Sequence, residues 1–574
     1  MLLLSALYRA RSCRLRFYDV HFLVTSSLIR EYSHFSGAMI SPYDDDNHEF
    51  FRYTSGRWLW NEKEQLLERY RRFNVLELQL AAANAVGSHC AKMTKIGEGN
   101  FNKVFKLTME DQSTVIARIP HPNAGPPRIT TASEVATMDF ARSVLGIPVP
   151  RVLAYCANTT NPVGSEYILM EIASGAQLSE VWDHMEIDDQ AKVVESVTDV
   201  ETKFLSISFA QSGALFYAKD MPNCTPAEIN GEVSQVVKDD IRRRFVLGPT
   251  VEREFWEEER AQMDLDRGPW TSANAYMEAI AHREIRWIQQ YAKPRTPSVP
   301  LQSSAAQDSP VAHTDLLQKY LSVIAKLIPT EKDLLLPTLW HRDLHRGNVF
   351  VKDGEVSSII DWQSVWVGPR ILRARNPQLV DYDGTIQTKL LEGFKDLGPE
   401  EKNQVRDDVR RSILLYIYET TTASRNPALY KVMRCPNGKT LDQLLEFASD
   451  SWDGDILPLR EVLIRIERDW HLTDTTSQCP YHFSKEEIAQ HRRDGEGFNE
   501  TAEFWENLEG RVDRTGYTLP QHFEDAVAYF SKLREVGLET LEDEERKTFD
   551  LQTRWLLDYA TDDGSPSEKC SNAP

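Results

Sequence analysis

His341-Arg342-Asp343-Leu344-His345-Arg346-Gly347-Asn348 sets an aspartate five residues ahead of an asparagine. Thirteen residues past Asn348, Ile359-Ile360-Asp361-Trp362-Gln363 places a second acid at the end of a β-branched run. An aspartate such as Asp343 can accept or orient the proton of a hydroxyl. Asn348 and Asp361 are hard oxygen ligands suited to Mg²⁺. Phosphoryl transfer needs little else: positioned phosphates, metal ions to offset charge, and a group to orient the attacking hydroxyl. His341 reads as a structural histidine that bonds backbone around the loop. His345 reads equally as a substrate-facing or a packing residue.

The other parts of such a site stand upstream in the expected order. Lys95-Ile96-Gly97-Glu98-Gly99-Asn100-Phe101-Asn102-Lys103-Val104-Phe105 lies between two strand signals. Gly97 and Gly99 let the backbone approach phosphates closely, and Val104 lies on the strand that leaves the loop. Asn102 occupies the third glycine position of G-x-G-x-x-G, a replacement that tolerates unusual backbone angles. Alone, this segment reads as well as a two-glycine hairpin turn. In Val115-Ile116-Ala117-Arg118-Ile119, Arg118 stands where protein kinases carry the lysine of V-A-I-K. An arginine binds phosphate bidentately and does not titrate. Glu134, in Thr131-Ala132-Ser133-Glu134-Val135-Ala136, is the acid placed to hold it; an ordinary surface ion pair is the plainer alternative. Tyr167-Ile168-Leu169-Met170-Glu171-Ile172-Ala173-Ser174-Gly175 is an apolar strand ending in a small-residue turn, a hinge whose Glu171 and Ala173 backbone would meet an adenine edge. The expected cofactors are ATP and Mg²⁺.

These segments predict an α+β, protein-kinase-like fold of two lobes. A small antiparallel β N-lobe with one helix precedes a large, mainly helical C-lobe. Alternation predicts strands over 91–96, 103–109, 114–119, 149–155 and 166–171, with a helix over 132–145. The stretch beyond Gly175 reads as mostly helical, including 191–209 and 278–291. The expected organisation is a leader at 1–40, a helical extension at 41–90, an N-lobe at 91–173, a C-lobe at 174–560 carrying the catalytic loop 341–363, and a disordered tail at 561–574. The Pro- and Ser-rich stretch 294–310 reads as a surface insertion.

Composition narrows the function. Lys plus Arg is 66 and Asp plus Glu is 87, a net charge of −21. A nucleic-acid binder needs a basic face to displace counterions, so nucleic acid is not an expected partner. The seven cysteines are scattered and show no C-x-x-C spacing, which argues against a disulfide framework or a structural zinc site. No apolar run of transmembrane length occurs. Residues 1–40 reverse the overall charge, with Arg9, Arg11, Arg14, Arg16 and Arg30 against only Asp19 and Glu31. Arg-rich, Ser-containing and acid-poor is the composition of a mitochondrial transit peptide, so the expected compartment is the mitochondrion and, by the inward pull of the membrane potential, its matrix. A basic tail is the alternative.

The segment HRDLHRGNVFV followed by IIDWQ resembles the aminoglycoside/choline-kinase-like phosphotransferases, whose pattern is H-x-D-x-x-x-x-N and then I-D-W. Protein kinases carry D-F-G where this chain has Asp361-Trp362-Gln363, and no A-P-E segment follows, which tilts the acceptor toward a small molecule. Tyr53-Thr54-Ser55-Gly56-Arg57-Trp58-Leu59-Trp60-Asn61-Glu62, Ile116-Ala117-Arg118-Ile119-Pro120 and Thr131-Ala132-Ser133-Glu134-Val135-Ala136-Thr137-Met138 are similar to the fungal altered inheritance of mitochondria protein 9 group. That resemblance implies mitochondrial residence and makes Arg118 a family trait; it names no acceptor. Three functions stay open: a phosphotransferase for a small hydroxyl compound, a nucleotide-binding regulatory factor motivated by Arg118 and Asn102, or the same fold doing other nucleotide chemistry such as nucleotidyl transfer. The acceptor and the oligomeric state are not legible.

Overall fold

The computed structural model describes residues 48–294, 304–390 and 393–559. The expected leader at 1–40, the tail at 561–574 and most of the insertion at 294–310 lie outside the described residues. The chain forms two compact units. One comprises Arg71–Arg283 and Val323–Glu446; the other comprises the described residues of Met1–Tyr70, Glu284–Ser322 and Phe447–Pro574. The stretches 41–90 and 174–560 are each shared between the two units.

The first unit opens with helix α1 (Val75–Val86), capped by the Asn74 side chain and closed by Gly87 in the left-handed region. Strands β1 (Cys90–Glu98), β2 (Asn102–Met109) and β3 (Thr114–Pro120) follow as antiparallel neighbours. Helix α2 (Ile129–Ser143) leads to β4 (Val152–Cys156) and β5 (Tyr167–Glu171). The five strands form one sheet in the order β1-β2-β3-β5-β4, every pair antiparallel. Alternation along β2 sorts its side chains: Lys103, Phe105, Leu107 and Met109 are buried, while Asn102, Val104, Lys106 and Thr108 are half-buried. The buried face meets Phe73 and α1, with Phe73 edge-on to Phe105 at 5.5 Å. The other face carries Val104 opposite Arg118.

The sheet strands fall where alternation predicts them, within a few residues. Helix α2 begins three residues earlier than its pattern. The larger difference lies beyond Gly175. The strand Ala176–Gln177 (β6) opens this region, and helix α3 (Ile187–Leu205) stops before Ile207. Ile207–Phe209 is a strand paired with Ile229–Gly231, and Ala214–Tyr217 pairs with Phe245–Gly248. A β-branched and aromatic run can serve either period, and its distant partner decides. Strands β7 (Pro337–Trp340), β8 (Val349–Lys352), β9 (Glu355–Ile359) and β10 (Trp366–Pro369) then frame the catalytic segment. Strand β8 pairs with β9 and with β6, and β7 pairs with β10. The long helix α4 (Pro399–Arg425) packs on α3, where the Tyr418 hydroxyl donates to Glu201 at 2.9 Å.

In the second unit, Arg57–Trp58 pairs antiparallel with Tyr517–Thr518. Helix Lys485–Glu506 starts with a capping box between Ser484 and Glu487. An apolar cluster gathers Leu59, Phe504, Phe523 and Phe530, with Trp60, Trp505 and Trp555 against it. Among the described residues no helix is long and apolar enough to cross a membrane.

Candidate active site

The catalytic segment is a loop between β7 and β8, and local bonds set its shape. His341 is buried and uses both ring nitrogens: Nδ1 accepts from the Asp343 backbone N–H at 3.3 Å, and Nε2 lies 3.1 Å from the Ile360 carbonyl. Its ring packs edge-on to Trp362 at 5.0 Å. Burial pushes its pKa down, in keeping with a neutral ring that donates from one nitrogen only. Asn348 Nδ2 donates to the Asp343 carbonyl and to Asp343 Oδ2, both at 3.0 Å. That leaves the Asn348 carbonyl oxygen as the atom open to a cation.

His345 turns back on the same loop. Its Nδ1 accepts from the Gly347 N–H at 2.9 Å, and its Nε2 stands 3.6 Å from Asp343 Oδ2. Partial burial pushes the Asp343 carboxyl up, but the His345 bond and charge, with His341 and Asn348, outweigh it and hold the pKa below its ordinary value. The Asp343 contact raises the His345 pKa in return.

Asp361 follows β9 in the left-handed region, φ 59°, a conformation that aspartate tolerates better than most residues. Its Oδ1 accepts from Arg118 Nη2 at 3.1 Å. Arg118 also pairs with Glu134 of α2 and donates to Gln363 Oε1 at 2.5 Å. The structure therefore brings Arg118, Glu134 and Asp361 together, with Asp343 and Asn348 on the adjoining loop. Burial lowers the Arg118 pKa, with Asp361 opposing it.

The glycine-rich turn is tight, with the Gly99 N–H on the Asn102 carbonyl at 3.0 Å and Gly97 paired across to Val104. A side chain added at Gly99 would meet nothing within 4 Å, and one at Gly97 would meet only Val104, at 3.9 Å. The loop thus has free space at both glycines. At the other end of the sheet, the Glu171 N–H bonds the Arg151 carbonyl at 3.0 Å, and its carboxylate turns to Arg151 Nε at 3.0 Å. Ala173 follows beyond the strand, half-buried.

These residues fit a nucleotide with Mg²⁺. The carbonyl oxygen of Asn348 and the carboxylate of Asp361 are two hard protein ligands. Mg²⁺ takes one or two such ligands and fills its remaining positions with phosphate and water. Among the described residues no group of three or more His, Cys, Asp or Glu side chains is placed to hold a metal ion.

Two features escape sequence reading. Gln363 bonds Asn102 as well as Arg118; its signal is a carboxamide where kinases carry the glycine of D-F-G. On the far face of the sheet, Lys103 is fully buried, with Nζ 2.6 Å from Glu98 Oε1 and 3.2 Å from His121 Nε2. His121 Nδ1 reaches the Asn100 carbonyl at 3.1 Å, so this cluster braces the glycine-rich turn from behind.

The sequence model of the phosphotransferase enzyme family (APH) matches residues 92–372. A subtelomeric hrmA-associated cluster protein of Aspergillus fumigatus is 32% identical over 78% of this chain and 93% of its own length. Altered inheritance of mitochondria protein 9, mitochondrial, of Lachancea thermotolerans is 26% identical over 80% of this chain and 86% of its own length. Among solved structures, an aminoglycoside phosphotransferase APH(4)-Ia mutant in ternary complex with ADP and hygromycin B is 13% identical, covering 68% of this chain and 97% of that one at a TM-score of 0.33. By these matches the chain belongs to the phosphotransferase enzyme family.

Proposed function

We propose that this chain is an ATP- and Mg²⁺-dependent phosphotransferase that acts on the hydroxyl of a small molecule, and that it works in mitochondria. The observation that carries the reading is the catalytic loop itself: Asp343 held ionised beside Asn348, with Asp361 on the adjoining strand end. Asp343 orients the acceptor hydroxyl and takes its proton as the oxygen attacks. The Asn348 and Asp361 oxygens hold Mg²⁺, which when bound offsets the charge of the transferring group. The open space at Gly97 and Gly99 lets the backbone of the turn approach the phosphates, and Val104 covers the base. Arg118, aligned by Glu134, supplies fixed positive charge. The Glu171 carbonyl and the Ala173 N–H take the adenine edge. The Asp361-Trp362-Gln363 segment in place of D-F-G supports a small acceptor over a protein. The relatives named as mitochondrial support the compartment.

The test is nucleotide consumption by purified protein against a metabolite panel, with Asp343→Asn as control. Turnover that depends on one acceptor and disappears in the variant supports the reading; turnover unchanged in the variant overturns the role of Asp343.

A second reading has its own observation. Arg118 is already engaged by Glu134, Asp361 and Gln363, which suits a nucleotide-binding regulatory factor with little turnover. Stabilisation by Mg-ATP in a thermal titration, without turnover on any acceptor, favours it.

A further inference from the structure

Gln363 lies two residues past Asp361, and three residues of the stretch 102–124, 239 to 261 positions away in sequence, meet at its carboxamide. Its Oε1 accepts from Asn102 Nδ2 at 2.6 Å and from Arg118 Nη2 at 2.5 Å. Two donors fill the two lone pairs of that oxygen. Its Nε2 donates to the Ala124 carbonyl, in the loop after β3. The opposite orientation would set an NH₂ against two donors and an oxygen against a carbonyl, so the contacts fix the amide.

Each partner has a place in the site. Asn102 closes the glycine-rich turn by accepting the Gly99 N–H at its carbonyl. Arg118 also reaches Asp361. Glycine at 363 would make none of these side-chain bonds. Asparagine would be one methylene short, and glutamate would lack the donor for Ala124.

We propose that Gln363 is a positioning residue: a latch that ties the glycine-rich turn and the Ala124 loop to the acid strand end, and holds Arg118 toward Asp361. Nucleotide exchange then requires these bonds to part together. The latch itself is a property of the nucleotide-free protein; its effect on nucleotide rests on the phosphotransferase reading.

Hydrogen exchange of the full-length, nucleotide-free protein tests it. In Gln363→Ala, amides of 97–104 and 121–126 should exchange about fivefold faster, the factor expected for losing one neutral hydrogen bond of about 1 kcal/mol. Amides of α3 and α4 should not change. Gln363→Glu keeps the acceptor, so it should loosen 121–126 and spare 97–104. Asn102→Ala, a milder change if the first variant folds poorly, should loosen 97–104 alone. Release of a fluorescent ADP analogue should quicken about fivefold in Gln363→Ala, and adding Asn102→Ala should quicken it no further, because both remove one bond. Unchanged exchange at both segments in Gln363→Ala overturns the latch, as does full additivity of the two substitutions. Faster exchange in Gln363→Ala with no nucleotide bound by the wild type supports the latch and overturns the phosphotransferase reading.

Discussion

On the catalytic loop the Asp343 side chain is 54% exposed and Asp361 is 43% exposed, whereas on β3 the Arg118 side chain is 7% exposed and enclosed by protein acceptors. The acids proposed to meet an incoming hydroxyl and a metal are left open. The cation is paired with Glu134 of α2 and with Asp361. Physical necessity separates them: a buried guanidinium needs fixed partners, since an uncompensated charge in a low-dielectric site is costly. Changes on the loop should therefore reach chemistry first, and changes at Arg118 should reach stability as well.

The largest expected effect lies on the open side. Asp343→Asn keeps the size of the side chain and removes its charge, and should lower turnover by about 10³-fold. Mg-ATP should still raise its unfolding temperature nearly as in the wild type. Loss of that nucleotide response would mean that Asp343 also builds the nucleotide site.

Next comes the enclosed side. Arg118→Met leaves Glu134 buried without its cation, a loss of about 3–5 kcal/mol in urea denaturation. Arg118→Met with Glu134→Leu should recover most of that loss without restoring turnover. If the double variant is no more stable than the single one, the Arg118–Glu134 pair is not what secures α2.

A pair outside both regions gives a pH control. Glu201 is fully buried in α3; its Oε2 accepts from Tyr418, and its Oε1 has no hydrogen-bond partner among the described residues. Burial raises its pKa from 4.5 to about 8, against the Tyr418 bond. The folded state therefore keeps a proton that the unfolded chain releases between these values. Stability falls as pH rises across that window, by up to about 1.4 kcal/mol per pH unit. Glu201→Gln removes the slope, so its advantage over the wild type should grow with pH and level off above about 8. Parallel stability curves for the two proteins would sink this account.

The smallest change returns to the loop. Trp362 is fully buried, and its Nε1 donates to the Ile359 carbonyl at 2.9 Å. Trp362→Phe should cost about 1–2 kcal/mol from the lost bond and the space left behind, read as a lowered denaturation midpoint. A much larger loss would show that the indole, and not the hydrogen bonds of His341, holds the loop.

Much of the fold was legible because its cues are local. Alternation in Lys103–Met109 marks β2, and the β-branched run Thr114–Ile119 marks β3. The strands between Ile207 and Gly248 were not legible. Two to four residues carry no reliable period, and these runs become strands by finding each other. Gln363 was quoted within its motif but given no role, because its partners Asn102, Arg118 and Ala124 lie 239 to 261 residues away.

The sequence by itself determined the family. Asp343 and Asn348 sit five residues apart in one loop, so their mutual bonds follow from local geometry, and Asp361 follows from a β-branched strand. Tertiary structure alone added Asp361 and Gln363 to the Arg118–Glu134 pair that the sequence suggested, and decided how the units are composed. It brought Glu134, Asp361 and Gln363 onto one guanidinium, and gathered the described residues of Met1–Tyr70, Glu284–Ser322 and Phe447–Pro574 into one unit. Burial and long-range pairing depend on which surfaces meet after the chain has folded back, and no window of neighbouring residues carries that information.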